Sequence, residues 1–166
     1  MRFLVAFVLG FLVPSTPALS DWKIDRFKDR MTDRAANIAS VTAKAPSSGI
    51  SAQLQLECLE DELVGGWQVS AVLSAKMTRG RLGLSFRIDD NPVEARILPV
   101  STDLRSIPFL FGRQAIDLER SRRLRLQLHP TGGPVLFYEF ETNGAARALR
   151  AVPCNNHSPP STTGTE

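Results

Sequence analysis

Along most of this chain apolar and polar residues alternate one for one, the two-residue period of strands that bury a single face. Ile50, Ala52, Leu54, Leu56 and Cys58 share one phase, and Ser51, Gln53, Gln55 and Glu57 share the other. Trp67, Val69, Ala71 and Leu73 alternate with Gln68, Ser70, Val72 and Ser74, and Leu82, Leu84, Phe86 and Ile88 form a further inner face. Asp89-Asp90-Asn91-Pro92 is a strong turn sequence, and Val93, Ala95 and Ile97 against Glu94 and Arg96 predict a partner strand directly after it, completing a hairpin. Leu124, Leu126 and Leu128 restore the alternation, with Arg123, Arg125 and Gln127 on the solvated side. The turn Pro130-Thr131-Gly132-Gly133-Pro134 leads into Val135 to Phe140. Ile38 to Ala43 alternates weakly before the break at Pro46-Ser47-Ser48-Gly49.

Three stretches lack this period. Between Asp21 and Arg34, Asp25, Asp29 and Asp33 are each followed by an arginine; this spacing suits a short helix with paired charges. It equally suits an extended arm docked through Trp22, Ile24, Phe27 and Met31. In the second stretch, Ile107-Pro108-Phe109-Leu110-Phe111-Gly112 is an apolar loop or short buried segment, and Arg113 to Arg120 has room for a helical turn. In the third, Gly144 to Val152 reads as a short helix with Ala145, Ala148, Leu149 and Val152 on its apolar side, ended by Pro153. Many short strands with frequent turns predict a mainly β chain: an antiparallel β-sandwich or curled sheet of six to eight strands with a short C-terminal helix.

The first 20 residues belong to none of this. Met1-Arg2, an apolar run from Phe3 to Val13, and then Pro14 to Ser20 have the order of a cleavable secretory signal, with small side chains at Ala18 and Ser20 predicting cleavage before Asp21. The apolar run is too short for the roughly 20 residues that span a bilayer as a helix, and no Cys stands at the cut to carry a lipid. The expected organisation is therefore a signal peptide at 1–20, one β-rich domain at 21–154 and a disordered tail at 155–166, where Ser, Thr, Pro and Gly dominate. Export implies a periplasmic or secreted location, and with it an oxidising one. There the two cysteines, Cys58 and Cys154, are most simply a disulfide joining an early strand to the end of the domain.

Composition excludes some functions. Without residues 1–20 the chain keeps 146 residues, with 19 basic and 17 acidic side chains, too near balance to imply a nucleic-acid partner. Phe86, Phe137 and Phe140 sit in alternating phases typical of a core, not of a nucleic-acid surface. The two histidines, His129 beside a turn and His157 in the tail, are poorly placed as general bases. Cys and His ligands at zinc spacing are missing, and Asp89-Asp90 suits a turn better than a pair of acting carboxylates. Gly65-Gly66 and Gly132-Gly133 lack the helix and Lys of a phosphate loop. No catalytic residue, metal ligand or cofactor is assigned. The candidate contact surface is the apolar run at Phe109, Leu110 and Phe111 together with Arg120, Arg122, Arg123 and Arg125, because apolar side chains beside Arg match interface composition.

Several phrases occur in a recognisable order. Trp22 follows soon after the signal cut, and Lys28-Asp29-Arg30-Met31-Thr32-Asp33 comes next. Later come Leu54-Gln55-Leu56-Glu57-Cys58, Phe86-Arg87-Ile88-Asp89-Asp90, and Phe140-Glu141-Thr142-Asn143-Gly144-Ala145-Ala146-Arg147-Ala148-Leu149 before Cys154. In this order the chain resembles small bacterial periplasmic proteins of the type VI secretion-associated VasI or TagO kind. The resemblance implies a β-rich periplasmic domain with one disulfide, acting as a non-enzymatic accessory or binding protein whose partner is an envelope or secretion-system protein. The alternatives are an exported hydrolase or cell-wall-modifying enzyme with an unfamiliar site, and a secreted inhibitor or effector.

Overall fold

A computed structural model describes residues 21–28, 35–44, 49–59, 66–77, 80–100 and 105–154; the signal segment and tail expected at 1–20 and 155–166 lie outside them. The alternating stretches become strands β1 (Lys23–Lys28), β2 (Ala35–Thr42), β3 (Ala52–Leu59), β4 (Gly66–Leu73), β5 (Gly80–Ile88), β6 (Glu94–Val100), β7 (Ser106–Phe111), β8 (Arg123–Pro130) and β9 (Leu136–Glu141). They form two antiparallel sheets, a five-stranded one in the order β1-β2-β3-β4-β7 and a four-stranded one in the order β6-β5-β8-β9. These nine strands exceed the expected six to eight. The arm after Asp21 is extended and adds β1 at the edge, pairing Lys23 with Ser40 through to Lys28 with Ala35. The apolar run at Ile107–Phe111 supplies β7, the short buried segment of the two alternatives and not the loop.

The register builds the core in rows, as cross-strand pairing requires. Ile24, Ala39, Leu56, Val69 and Leu110 stand in line across the larger sheet. Phe86, Leu126 and Tyr138 do the same across the smaller one, as do Leu84, Leu128 and Leu136. The inner faces of both sheets join in one apolar cluster in which Leu54, Leu56, Phe109, Leu126, Tyr138 and Phe140 are almost wholly withdrawn from water. At roughly 25 cal/mol per Å² of apolar surface removed from water, each such side chain contributes about 2 kcal/mol.

The loss of alternation before Gly112 has a specific cause. Val69 pairs with Leu110 and Ser70 with Pro108, so Phe109 is the extra residue of a β-bulge. The bulge lets Phe109 and Leu110, neighbours in sequence, both reach the core, and both are 0% exposed. The Phe109 ring meets Phe86 of the opposite sheet with centroids 5.4 Å apart.

One end of the sandwich is closed by short helices. Helix α1 (Arg113–Ile116) continues into a 3-10 turn at Asp117–Arg120, and α2 (Ala145–Ala151) packs on that turn and on β2. Gly144 precedes α2 at φ 90°, a left-handed conformation that suits glycine. Three ties hold the α2 end down. Asn37 Nδ2 donates to the Ala151 carbonyl at 2.6 Å, Trp67 Nε1 donates to the Val152 carbonyl at 2.9 Å, and Cys154 is bonded to Cys58 with Cα atoms 5.4 Å apart. The sequence expectation of a Cys58–Cys154 disulfide, a mainly β sandwich and a short C-terminal helix thus holds. Because the bond spans 96 residues of sequence, chain-entropy reasoning assigns it roughly 4–5 kcal/mol. The double variant Cys58→Ser, Cys154→Ser, compared with the oxidised protein in urea, is therefore expected to lose about 2–5 kcal/mol of unfolding free energy. An unchanged midpoint would show that the other two ties suffice.

Candidate functional site

Phe109 and Leu110 are core residues, so the apolar half of the expected contact surface does not exist as a surface. Phe111 is 37% exposed, but it pairs with Gln68 on the outer side of the larger sheet. Arg123 and Arg125 alternate with the buried Leu124 and Leu126, so they lie on the outer side of the smaller sheet, across the sandwich from Phe111. Arg120 and Arg122 are exposed between the 3-10 turn and β8. The seven residues therefore do not converge on one patch. Sequence reasoning joined them because they are close along the chain, whereas the bulge and the chain reversal at α1 send them to different faces.

The outer face of the smaller sheet does gather side chains. In one row Ile97, Gly83 and His129 are adjacent across β6, β5 and β8; in the next, Ala95, Ser85, Gln127 and Phe137 cross all four strands. Ile97 is 63% exposed and Phe137 45%, while Val93 and Val135, which lead into β6 and β9, are 62% and 49% exposed. This reverses the expectation for Phe137, whose neighbours Leu136 and Tyr138 take the inward phase. On β6 the inward phase belongs to Glu94, Arg96 and Leu98, opposite Phe86, Leu84 and Leu82, which turns Ala95 and Ile97 outward. Two apolar strips thus flank Gly83, Ser85, Gln127 and His129. No family model matches the chain, nor does any curated protein or solved structure.

Below these rows the face is charged. Arg87 stands opposite Arg125, and Arg125 opposite Glu139, with Arg125 Nε 3.2 Å from Glu139 Oε2. Arg123 stands opposite Glu141, but Glu141 pairs with Lys44, whose backbone N–H also donates to the Glu139 carbonyl. Asp89 is held at φ 47° while its carboxylate accepts the backbone N–H of Arg122 and Arg123, at 3.0 and 2.8 Å. It ties the β5–β6 turn to the start of β8, which accounts for the acidic turn. Asp90 points to water and meets Arg87 at 3.5 Å. Among the described residues no group of three or more His, Cys, Asp or Glu side chains comes together. His129 lies on the open face, and His157 lies outside the described residues.

Sequence reasoning also passed over Arg96. It points inward from edge strand β6, donating from Nη1 to the Phe109 carbonyl at 2.5 Å and from Nη2 to Gln114 Oε1 at 2.7 Å, with the guanidinium 5.3 Å from the Phe86 ring centroid. The bulge takes Phe109 out of ladder register, and Arg96 satisfies its carbonyl, closing the seam between β6 and β7. An inward charge on an apolar-looking edge strand was the available signal.

Two stability comparisons check these placements. Phe109→Ser is expected to cost at least about 3–5 kcal/mol, as for a buried aromatic reduced to a small side chain, while Phe111→Ser changes stability by less than about 1 kcal/mol. Equal losses in chemical denaturation would contradict the assigned faces. Arg96→Ala is expected to cost about 2–3 kcal/mol, because it leaves the Phe109 carbonyl without its charged donor; a loss below 0.5 kcal/mol, the range of an ordinary surface substitution, would deny Arg96 its part in the seam.

Proposed function

We propose that this chain is an exported, non-enzymatic accessory or binding protein of the bacterial envelope, acting on an envelope or secretion-system protein. The observation that carries the proposal is the open outer face of β6-β5-β8-β9, where Ile97, Phe137, Val93 and Val135 remain exposed on a rigid sheet. Apolar side chains grouped in this way, and not scattered singly, mark surfaces that bind. The Cys58–Cys154 bond supports an oxidising, non-cytoplasmic compartment, since such bonds persist where thiols are not kept reduced. Together with the secretory pattern of residues 1–20 and the resemblance to exported accessory proteins, this favours the periplasm. Among the described residues no helix is long and apolar enough to cross a membrane.

The test is affinity capture from a native periplasmic extract, with the oxidised protein beginning at Asp21 as bait and the Cys58→Ser, Cys154→Ser form as control. The proposal expects one envelope or secretion-system protein, recovered at near-stoichiometric yield and only by the oxidised bait. A folded bait that recovers no such protein would overturn it.

A further inference from the structure

We infer that the outer face of β6-β5-β8-β9 receives an extended segment of a partner polypeptide that carries large apolar side chains and, beside them, a carboxylate. This deepens the binding role proposed above and rests on it. The apolar strips of β6 and β9 are three strand spacings apart, about 14 Å, with Gly83 and Ser85 of β5 and His129 and Gln127 of β8 between them. That width suits one extended chain lying along the strands, its side chains reaching Ile97 on one side and Phe137 on the other.

The charges choose the partner. Glu139 compensates Arg125, and Glu141 is taken by Lys44. Among the described residues Arg87 has only the 3.5 Å contact to Asp90, whose side chain is 89% exposed, and the ladder places it directly opposite Arg125. Like charges opposed in this way repel. The Nε atoms of both Arg87 and Arg123 are buried without an acceptor. Arg87 and Arg123 are diagonal neighbours on this face, so one carboxylate between them can accept from both guanidinium groups and relieve the opposition to Arg125. A membrane surface fits less well, because Glu139, Glu141 and Asp90 lie beside the same arginines and would repel anionic lipid. A segment with a single carboxylate brings one such charge toward these acids, where a membrane surface brings many.

The probe is a set of immobilised 12-residue peptides in which Leu and Phe alternate with Ser around one central Glu, with matched sets carrying Gln or Lys instead. The oxidised protein beginning at Asp21 is expected to bind the Glu peptides and to lose at least about tenfold in affinity on Glu→Gln replacement. Ile97→Ser with Phe137→Ser, and separately Arg87→Gln with Arg123→Gln, are each expected to reduce binding by at least about tenfold while melting as the parent does. Peptide-induced NMR shifts should fall on β5, β6, β8 and β9. Equal binding of Glu and Gln peptides, shifts confined to the larger sheet, binding only to phosphatidylglycerol vesicles, or a concentration-dependent dimer abolished by Phe137→Ser would each overturn the inference. If the Ile97→Ser, Phe137→Ser bait still captures its periplasmic partner, this face is wrong and the accessory role stands. If the parent bait captures nothing, the accessory role itself fails.

Discussion

A sandwich of two open sheets has four edges, and the rest of this structure depends on how they are closed. Backbone groups on an open edge invite pairing with other chains. On one side β6 and β7 approach without a ladder between them, and the Arg96 guanidinium spans the seam to the Phe109 carbonyl. On the other, β2 runs on to Lys44, whose single backbone bridge to Glu139 and ion pair with Glu141 join it to β9. Both seams use a long cation, which can reach across a gap that two twisting sheets cannot close by backbone alone. Between them the inner rows meet as one core, and α2, the 3-10 turn and the Cys58–Cys154 bond cover one end.

Closing the sandwich in this way leaves the outer sides of the two sheets and the edge at β1 outside the seams. On the outer side of the larger sheet Ser40 and Ser70 are buried beside Gln55, Glu57 is bonded to Gln68 in the next row, and Phe27 and Phe111 are exposed. The smaller sheet presents the apolar strips and, beside them, Arg87, Arg123 and Arg125. Edge strand β1 remains open along one side, but Lys23, Asp25, Arg26 and Lys28 place charge along it, the usual protection against edge-to-edge association. The proposed recognition therefore uses a face of the sheet and not an edge, so that side chains and not backbone would select the partner.

Much of this fold was legible in the sequence because alternation and burial are the same fact seen twice. The inner rows at Leu54, Leu56, Leu82, Leu84, Leu124 and Leu126 follow directly from the two-residue period, and a pair of cysteines in a domain read as exported gave the disulfide. The candidate site was not legible, for two physical reasons. At Phe109 a bulge shifts the phase by one residue, so a buried segment looks like an exposed apolar loop. On β6 and β9 both phases contain apolar residues, and periodicity alone does not say which faces water. Only the partner strand decides: Arg96 faces inward because Leu84 does, and Phe137 outward because Tyr138 has the core. Proximity along the chain then grouped Phe111 with Arg123 and Arg125, which topology places on opposite sides.

The central claim is that the two seams make both sheets a single cooperative unit around one core. Native-state amide hydrogen exchange tests it most directly, since it reports the opening free energy of each strand separately. The account predicts that the most protected amides of β3 and β4 and those of β5 and β8 exchange at one common free energy, with β1 opening at a lower one. Two distinct levels, one for each sheet, would contradict it and show two layers that open independently.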